Sequence, residues 1–187
     1  MSFDVVCVGG GVATLSTVLR LLKRAREAQS SSQRTPPTVL VIDKGPEVGS
    51  HILSGAVVDT KPMANLLSPE EFSALPVFTA VKEESYRFLT ENSSRRVPWT
   101  PPLMRADGLP IVSLSAVTRY LAGLCEKAGA EIYAGFSAVK LLSENGRIVG
   151  VRLGDKGWDK NGEKRSNFSP GPDLMARVVV LGEGACG

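Results

Sequence analysis

The apolar positions of this chain alternate between two periods. Residues 4–8 (Asp4-Val5-Val6-Cys7-Val8) and 38–42 (Thr38-Val39-Leu40-Val41-Ile42) are near-continuous apolar or β-branched runs, the pattern of strands buried on both faces of a parallel sheet. Between them Leu15, Val18, Leu19 and Leu22 recur at helical spacing, which predicts a helix over residues 12–28 with one apolar face. Arg20, Lys23, Arg24 and Arg26 crowd its second half, where cations suit the negative end of the helix dipole. Residues 29–37, rich in serine and glutamine and ending in Pro36-Pro37, break the pattern. Residues 44–72 are less regular, and Ile52, Leu53, Val57, Val58, Met63, Leu66 and Leu67 are either core, which composition favours, or a patch facing a membrane or partner.

Residues 86–90 and 95–97 predict two short strands, and Pro98, Pro101 and Pro102 enforce an extended stretch around Trp99. Residues 111–114 lead into a helix from about Ser115, with Val117, Tyr120, Leu121, Leu124 and Ala128 inward and Gly129 at its C′ position. A short strand is expected over 131–133. Residues 138–142 and 147–153, joined by Asn145-Gly146, predict a hairpin. Residues 155–172, full of Gly, Asn, Lys and Pro, are expected to be an exposed loop, and 175–181 a last buried strand that ends in Gly182-Glu183-Gly184.

The chemistry sits where the first strand meets the first helix. Val8-Gly9-Gly10-Gly11-Val12-Ala13-Thr14 places glycines directly after the strand, where the missing Cβ lets backbone turn sharply and approach a ligand. The helix that follows aims its unpaired N–H groups and positive dipole end at an anion, most naturally a pyrophosphate. Gly9 and Gly11 fill the first two positions of a dinucleotide fingerprint, while Thr14 stands at the third, where glycine normally permits close helix–strand packing. Asp43 closes the second strand, the place of an acidic residue that accepts hydrogen bonds from ribose hydroxyls. His51 is the only histidine and has no catalytic partner in the sequence, so a structural role is the simpler reading.

Composition narrows the classes. A net charge of +3 from 22 basic and 19 acidic residues, with no basic stripe interleaved with aromatics, excludes nucleic acid as the expected partner. Cys7, Cys125 and Cys186 are odd in number and form no C-x-x-C pair, so they read as reduced thiols. No run is long and apolar enough for a membrane span. The first strand begins almost at Met1, which leaves no room for a targeting peptide within the sequence.

Longer signatures add to these. Val48-Gly49-Ser50-His51-Ile52-Leu53-Ser54-Gly55-Ala56-Val57, Ile111-Val112-Ser113-Leu114, Gly129-Ala130-Glu131-Ile132-Tyr133-Ala134-Gly135-Phe136, Lys160-Asn161-Gly162-Glu163 with Asn167-Phe168, and Glu183-Gly184 follow one another along the chain. In that order they resemble the N-terminal part of the electron transfer flavoprotein–ubiquinone oxidoreductase family, with its FixC-like relatives. The resemblance implies an α/β, glutathione-reductase-type FAD-binding fold: a βαβ dinucleotide unit plus a returning strand, with an inserted, partly antiparallel α+β region. It implies residues 1–60 as the first part of the FAD-binding domain, 61–173 as the insertion and 174–187 as the returning strand. Gly9 and Gly11 would approach the FAD pyrophosphate, with Val8, Gly10, Val12, Ala13 and Thr14 around them. Asp43, with Lys44 beside it, would hold the adenosine ribose, the segment from His51 to Val57, with Gly55 in it, would pass near the isoalloxazine ring, and Gly49 would also contact the cofactor. Glu183 and Gly184 would meet the cofactor from the returning strand.

The same resemblance implies electron transfer flavoprotein and ubiquinone as partners. It also implies a monotopic membrane surface around residues 50–71, with Ile52, Leu53, Leu66 and Leu67 facing lipid, at the mitochondrial inner membrane or its bacterial counterpart. A four-iron four-sulfur cluster belongs to the family, and its four cysteines are not available among three scattered ones. No catalytic side chain and no metal ligand is expected within this chain, because the hard chemistry belongs to the cofactor. Val12 stands where the family usually has proline, Cys186 is displaced by one position from the family's cysteine, and the sequence is short for the family. Two rivals follow: a FixC-like or geranylgeranyl-reductase-like flavoprotein, and a non-catalytic remnant.

Overall fold

The structure, a computed structural model, describes residues 1–29, 35–52, 55–159 and 162–184. The readings that concern Leu53, Ser54, Lys160, Asn161 and Cys186 lie outside the described residues. In chain order the elements are β1 (Ser2–Val8), α1 (Val12–Gln29), β2 (Val39–Asp43), β3 (Ala56–Val57), α2 (Lys61–Ala64), α3 (Pro69–Ser73), β4 (Val77–Ala80), β5 (Arg87–Leu89), β6 (Ser94–Arg96) and β7 (Pro110–Val112). There follow α4 (Leu114–Lys127), β8 (Glu131–Ala134), β9 (Ala138–Glu144), β10 (Arg147–Leu153), β11 (Lys156–Trp158), β12 (Lys164–Ser169) and β13 (Asp173–Leu181).

Two compact units result, one of Met1–Ile52 with Val117–Gly187, the other Leu53–Ala116. The first holds a six-stranded sheet in the order β8-β2-β1-β13-β10-β9. β8, β2, β1 and β13 run parallel, and β10 and β9 add antiparallel pairs at the far edge. This is the expected α/β fold with a mixed sheet. β1 and β2 bury both faces, whereas β13, expected to be a buried strand, leaves Arg177, Val178 and Leu181 exposed. Val6, Val8, Leu40 and Ile42 form one apolar cluster with Val151, Leu153, Leu174 and Ala176. The alternate residues Cys7, Val39 and Val41 point to the other face, by the two-residue period of a strand, and are as fully buried.

Leu15, Val18, Leu19 and Leu22 are the buried stripe of α1, as their spacing predicts. In α4 the buried residues are Val117, Thr118, Leu121, Ala122, Leu124 and Cys125, while Tyr120 and Ala128 are only half-buried. The Cys125 thiol donates to the Leu15 carbonyl oxygen at 3.2 Å, tying α4 to α1. Burial pushes the Cys7 thiol up to about 11 and the Cys125 thiol to about 12, so both stay protonated at neutral pH. α4 ends in a Schellman motif: Gly129, at φ +101°, donates its N–H to Glu126, and the Ala130 N–H reaches back to Cys125. Asn145 (φ 49°) and Gly146 (φ 77°) make the turn of the β9–β10 hairpin, both left-handed as a two-residue type I′ turn requires.

The structure divides the chain differently from the expected insertion over 61–173. β8 pairs with β2, and β10 with β13, so everything from Val117 onward joins the first unit and the second spans only Leu53–Ala116. Residues 155–172 are not a loop throughout. β11 and β12 pair there, the Trp158 and Phe168 rings meet edge to face at 5.1 Å, and Lys164 Nζ stands 4.1 Å from the Phe168 ring centroid. The second unit contains a β3-β7-β4 sheet and a β5-β6 ladder. Within it Leu67 is buried at 6% exposure, against the lipid-facing role expected of it; Val57 is exposed and Leu66 half-buried. α3 carries a capping box, in which Ser68 Oγ accepts from the Glu71 N–H and the Glu71 carboxylate accepts from the Ser68 N–H.

Candidate functional site

The parallel strands β1, β2, β8 and β13 all end at one edge of the first unit, and β1 is the point where the chain's path reverses, with β2 on one side and β13 on the other. Ligands of open α/β sheets bind in the crevice outside such strand ends. A cavity of about 400 Å³ lies there, within the size range of cofactor sites. It is lined by the β1 end and glycine turn (Val8, Gly9, Gly10, Gly11), the β2 end (Asp43, Lys44), Gly49 and His51, and by Glu183 and Gly184 after β13. Ten of the residues singled out from the sequence thus converge on one cleft.

The glycines are held by close approaches. Gly9 has φ +94°, and a Cβ on it would overlap the Gly182 carbonyl oxygen. A Cβ on Gly10 would stand 3.1 Å from Asp43 Oδ2 and 3.5 Å from Val48 Cγ2. No atom lies within 4 Å of a Cβ built on Gly11, so the space in front of the helix start is open. The N–H of Leu15 is bonded to the Gly11 carbonyl. The N–H groups of the turn before it have no helical carbonyl behind them and make the helix terminus an anion-binding end.

Asp43 is the electrostatic counterpart. Its Oδ2 accepts the Gly10 N–H at 2.7 Å, and its Oδ1 accepts the Gly45 N–H at 2.7 Å. The carboxylate is therefore clamped to the glycine turn by backbone donors, and each oxygen keeps further acceptor capacity toward the cleft. The β8 end is laced to the same place: Phe136 N–H donates to the Asp43 carbonyl, and Gly135 N–H to the Gly45 carbonyl. His51 is exposed at the rim, with Nδ1 facing Gly45. Among the described residues no group of His, Cys, Asp and Glu could hold a metal ion.

Four expected site residues are not brought to the lining. Val12, Ala13 and Thr14 follow the turn as the first residues of α1, and Thr14 is buried within the fold. Gly55, at φ +90°, belongs to the second unit. The cleft also contains Ile42, Phe136, Ser137, Ala138 and Gly182, which sequence reasoning missed, and Ile52, for which a lipid-facing role was also expected. Phe136 and its neighbours could have been found from topology, since the residues after any parallel strand of this sheet reach the same edge. Gly182 had a local signal, as the first glycine of Gly182-Glu183-Gly184.

The donor set suits a dinucleotide: glycines that admit backbone to close approach, a helix start with open space before it, and a carboxylate at the second strand's end. Known proteins agree. The chain is 42% identical over 186 residues to an electron transfer flavoprotein–ubiquinone oxidoreductase, mitochondrial, of Dictyostelium discoideum, covering 99% of this chain and 30% of that protein. It is 38% identical to the electron transfer flavoprotein–ubiquinone oxidoreductase of Pseudomonas aeruginosa, covering 100% and 34%. The chain thus spans about a third of the length of these relatives. A geranylgeranyl bacteriochlorophyll reductase-like protein of Thermoplasma acidophilum shares the fold with a TM-score of 0.62 and 20% identity, over 98% of this chain and 39% of that one. A family model described as FAD-NAD(P)-binding matches residues 6–185, and the chain belongs to that family.

Proposed function

We propose that this chain is the FAD-holding part of an electron transfer flavoprotein–ubiquinone oxidoreductase, and that the cleft at the β1, β2 and β13 ends is where the FAD lies. The observation that carries this is the joint one: 42% identity to a relative of that name along the whole chain, with the glycine turn, Asp43 and Glu183-Gly184 on one cavity. In this reading the helix-start N–H groups behind Gly9 and Gly11 face the pyrophosphate. Asp43, clamped by the Gly10 and Gly45 amides, accepts from the ribose hydroxyls. Glu183 and Gly184 close the opposite wall. Bound FAD would supply the redox chemistry, taking electrons from reduced electron transfer flavoprotein and passing them toward ubiquinone. The protein's part is to bind, orient and exclude water.

The remaining roles are those of the whole protein. A four-cysteine cluster needs more than the three cysteines present. No helix among the described residues is long and apolar enough to cross a membrane. Membrane contact in this reading is monotopic, at the inner membrane of mitochondria or bacteria. The test is the visible spectrum of the purified chain, before and after adding FAD. A protein-bound flavin band near one FAD per chain is expected, without quinone reduction by the chain alone. A chain that stays colourless in excess FAD would sink the reading.

A further inference from the structure

We propose that Thr14 and Gly182 form an interlocked positioning pair that sets the width of the cleft, and that residue 14 is free to differ from glycine because residue 182 is glycine. The inference rests on the FAD reading above. Thr14, in the first turn of α1, is 3% exposed, and its hydroxyl has no hydrogen-bond partner among the described residues. A Cβ placed on Gly182 would overlap that hydroxyl, and would stand 3.3 Å from both Thr14 Cβ and the Val8 carbonyl oxygen. Gly182 is not among the residues with positive φ, so its φ does not require glycine; the lack of space does.

Gly182 is enclosed on its other sides as well. Its N–H donates to the Val8 carbonyl at 2.7 Å, and its own carbonyl fills the place that a Cβ on Gly9 would need. The end of β13 is thus wedged between the end of β1, the glycine turn and the start of α1. A methyl group at residue 182 has two ways out. Displacing Thr14 tilts the first turn of α1, which carries the anion-facing N–H groups. Displacing the strand end moves Glu183 and Gly184, which line the cleft. Either movement misplaces groups that face the phosphates. The bulk that Thr14 brings to the third fingerprint position is absorbed by a glycine about 170 residues away, not by a change in the turn itself.

A double-mutant cycle tests this on the purified chain with Gly182→Ala, Thr14→Gly and the combined variant. Two quantities are read: the melting temperature without FAD, and the FAD dissociation constant by flavin fluorescence, measured well below each melting point. Gly182→Ala is expected to lower the melting temperature by about 5 °C, the scale of an overpacked core site in a chain this long, and to weaken FAD binding about tenfold. The combined variant is expected to recover FAD affinity to within about threefold of the unaltered chain, and Thr14→Ala, which keeps its Cβ, to rescue Gly182→Ala only in part. Should Gly182→Ala fail to fold, recovery of a soluble, FAD-binding protein on adding Thr14→Gly would equally support the pairing. A combined variant no better than Gly182→Ala, or a Gly182→Ala protein that melts and binds FAD like the original, would overturn it. An unaltered chain that binds no FAD would instead defeat the proposed function, and coupling in the melting temperatures would still report on the pair.

Discussion

The two units of this protein use apolar residues in opposite ways. In the unit formed by Met1–Ile52 and Val117–Gly187, the strands of the main sheet are four to nine residues long and bury Val6, Cys7, Leu40, Val41, Ile42 and Leu174 almost completely. The elements that lie wholly within Leu53–Ala116 are two to five residues long, and Leu67, Leu75, Val112 and Ser113 are the buried residues among those described there. There Phe78 is 76% exposed, Phe88 69%, Leu89 71% and Trp99 63%. The first unit is specified by burial, which is non-directional and grows with area. The second leans on individual polar contacts such as the Ser68–Glu71 capping box and the Glu84 carboxylate, which accepts the Ala106 N–H at 2.7 Å.

That contrast can be broken by mutation. Leu40→Ala, at a fully buried position, is expected to cost about 2–5 kcal/mol in denaturant unfolding, whereas Phe88→Ala should stay within about 0.5 kcal/mol; similar costs at the two sites would erase the distinction. Gly9→Ala is next. A Cβ at positive φ against the Gly182 carbonyl should cost about 2 kcal/mol and abolish FAD uptake in the absorption titration. Ser68→Ala removes one side of the capping box and should destabilise by about 1 kcal/mol, with hydrogen exchange rising around α3 and not in the six-stranded sheet.

The smallest effect is in acid. Arg152 bonds both oxygens of Asp173, at 2.6 and 2.8 Å, and holds that carboxyl below its ordinary range. Asp4 is likewise lowered, first by the Thr38 backbone N–H and then by Arg177. A carboxyl lowered on folding contributes stability above its unfolded pKa and loses it as pH falls through the folded one. Asp173→Asn should therefore flatten the dependence of melting temperature on pH below about 4, leaving the neutral value nearly unchanged because the pair is exposed.

Much of the first unit was legible in the sequence because its patterns are local. Continuous apolar runs marked β1, β2 and β13, helical spacing marked α1 and α4, and Asn145-Gly146 marked the hairpin. The glycine turn and Asp43 could be placed at one cleft from order alone. What was not legible depends on partners far along the chain. The β11–β12 pair is held by Trp158 against Phe168 and by Lys164 over the rings, in a stretch whose Gly, Asn and Pro content reads as loop. Leu67 carries the same composition signal as its neighbour Leu66, yet only Leu67 is fully buried. Thr14 reads as damage to a fingerprint because the glycine that accommodates it stands at the other end of the sequence. Ser68-Pro69-Glu70-Glu71, by contrast, carries a local helix-start signal, a capping box with proline at the first helical position, ahead of a helix too short to show periodicity.

The position of β13 has a further consequence, for the order in which this protein can assemble. β13, which follows β9 and β10 in the chain, is not added at an edge but inserted between β1 and β10. Asp4 and Arg177, 173 residues apart, meet across that seam. While the chain emerges from the ribosome, β1 can pair with β2 on one side only, and its other edge stays bare, the kind of edge that recruits foreign strands. Closing so long a loop is also slow compared with forming helices or hairpins. The nascent chain therefore carries a finished β1–α1–β2 unit and a finished β9–β10 hairpin that have no sheet in common until residues 173–181 arrive to join them.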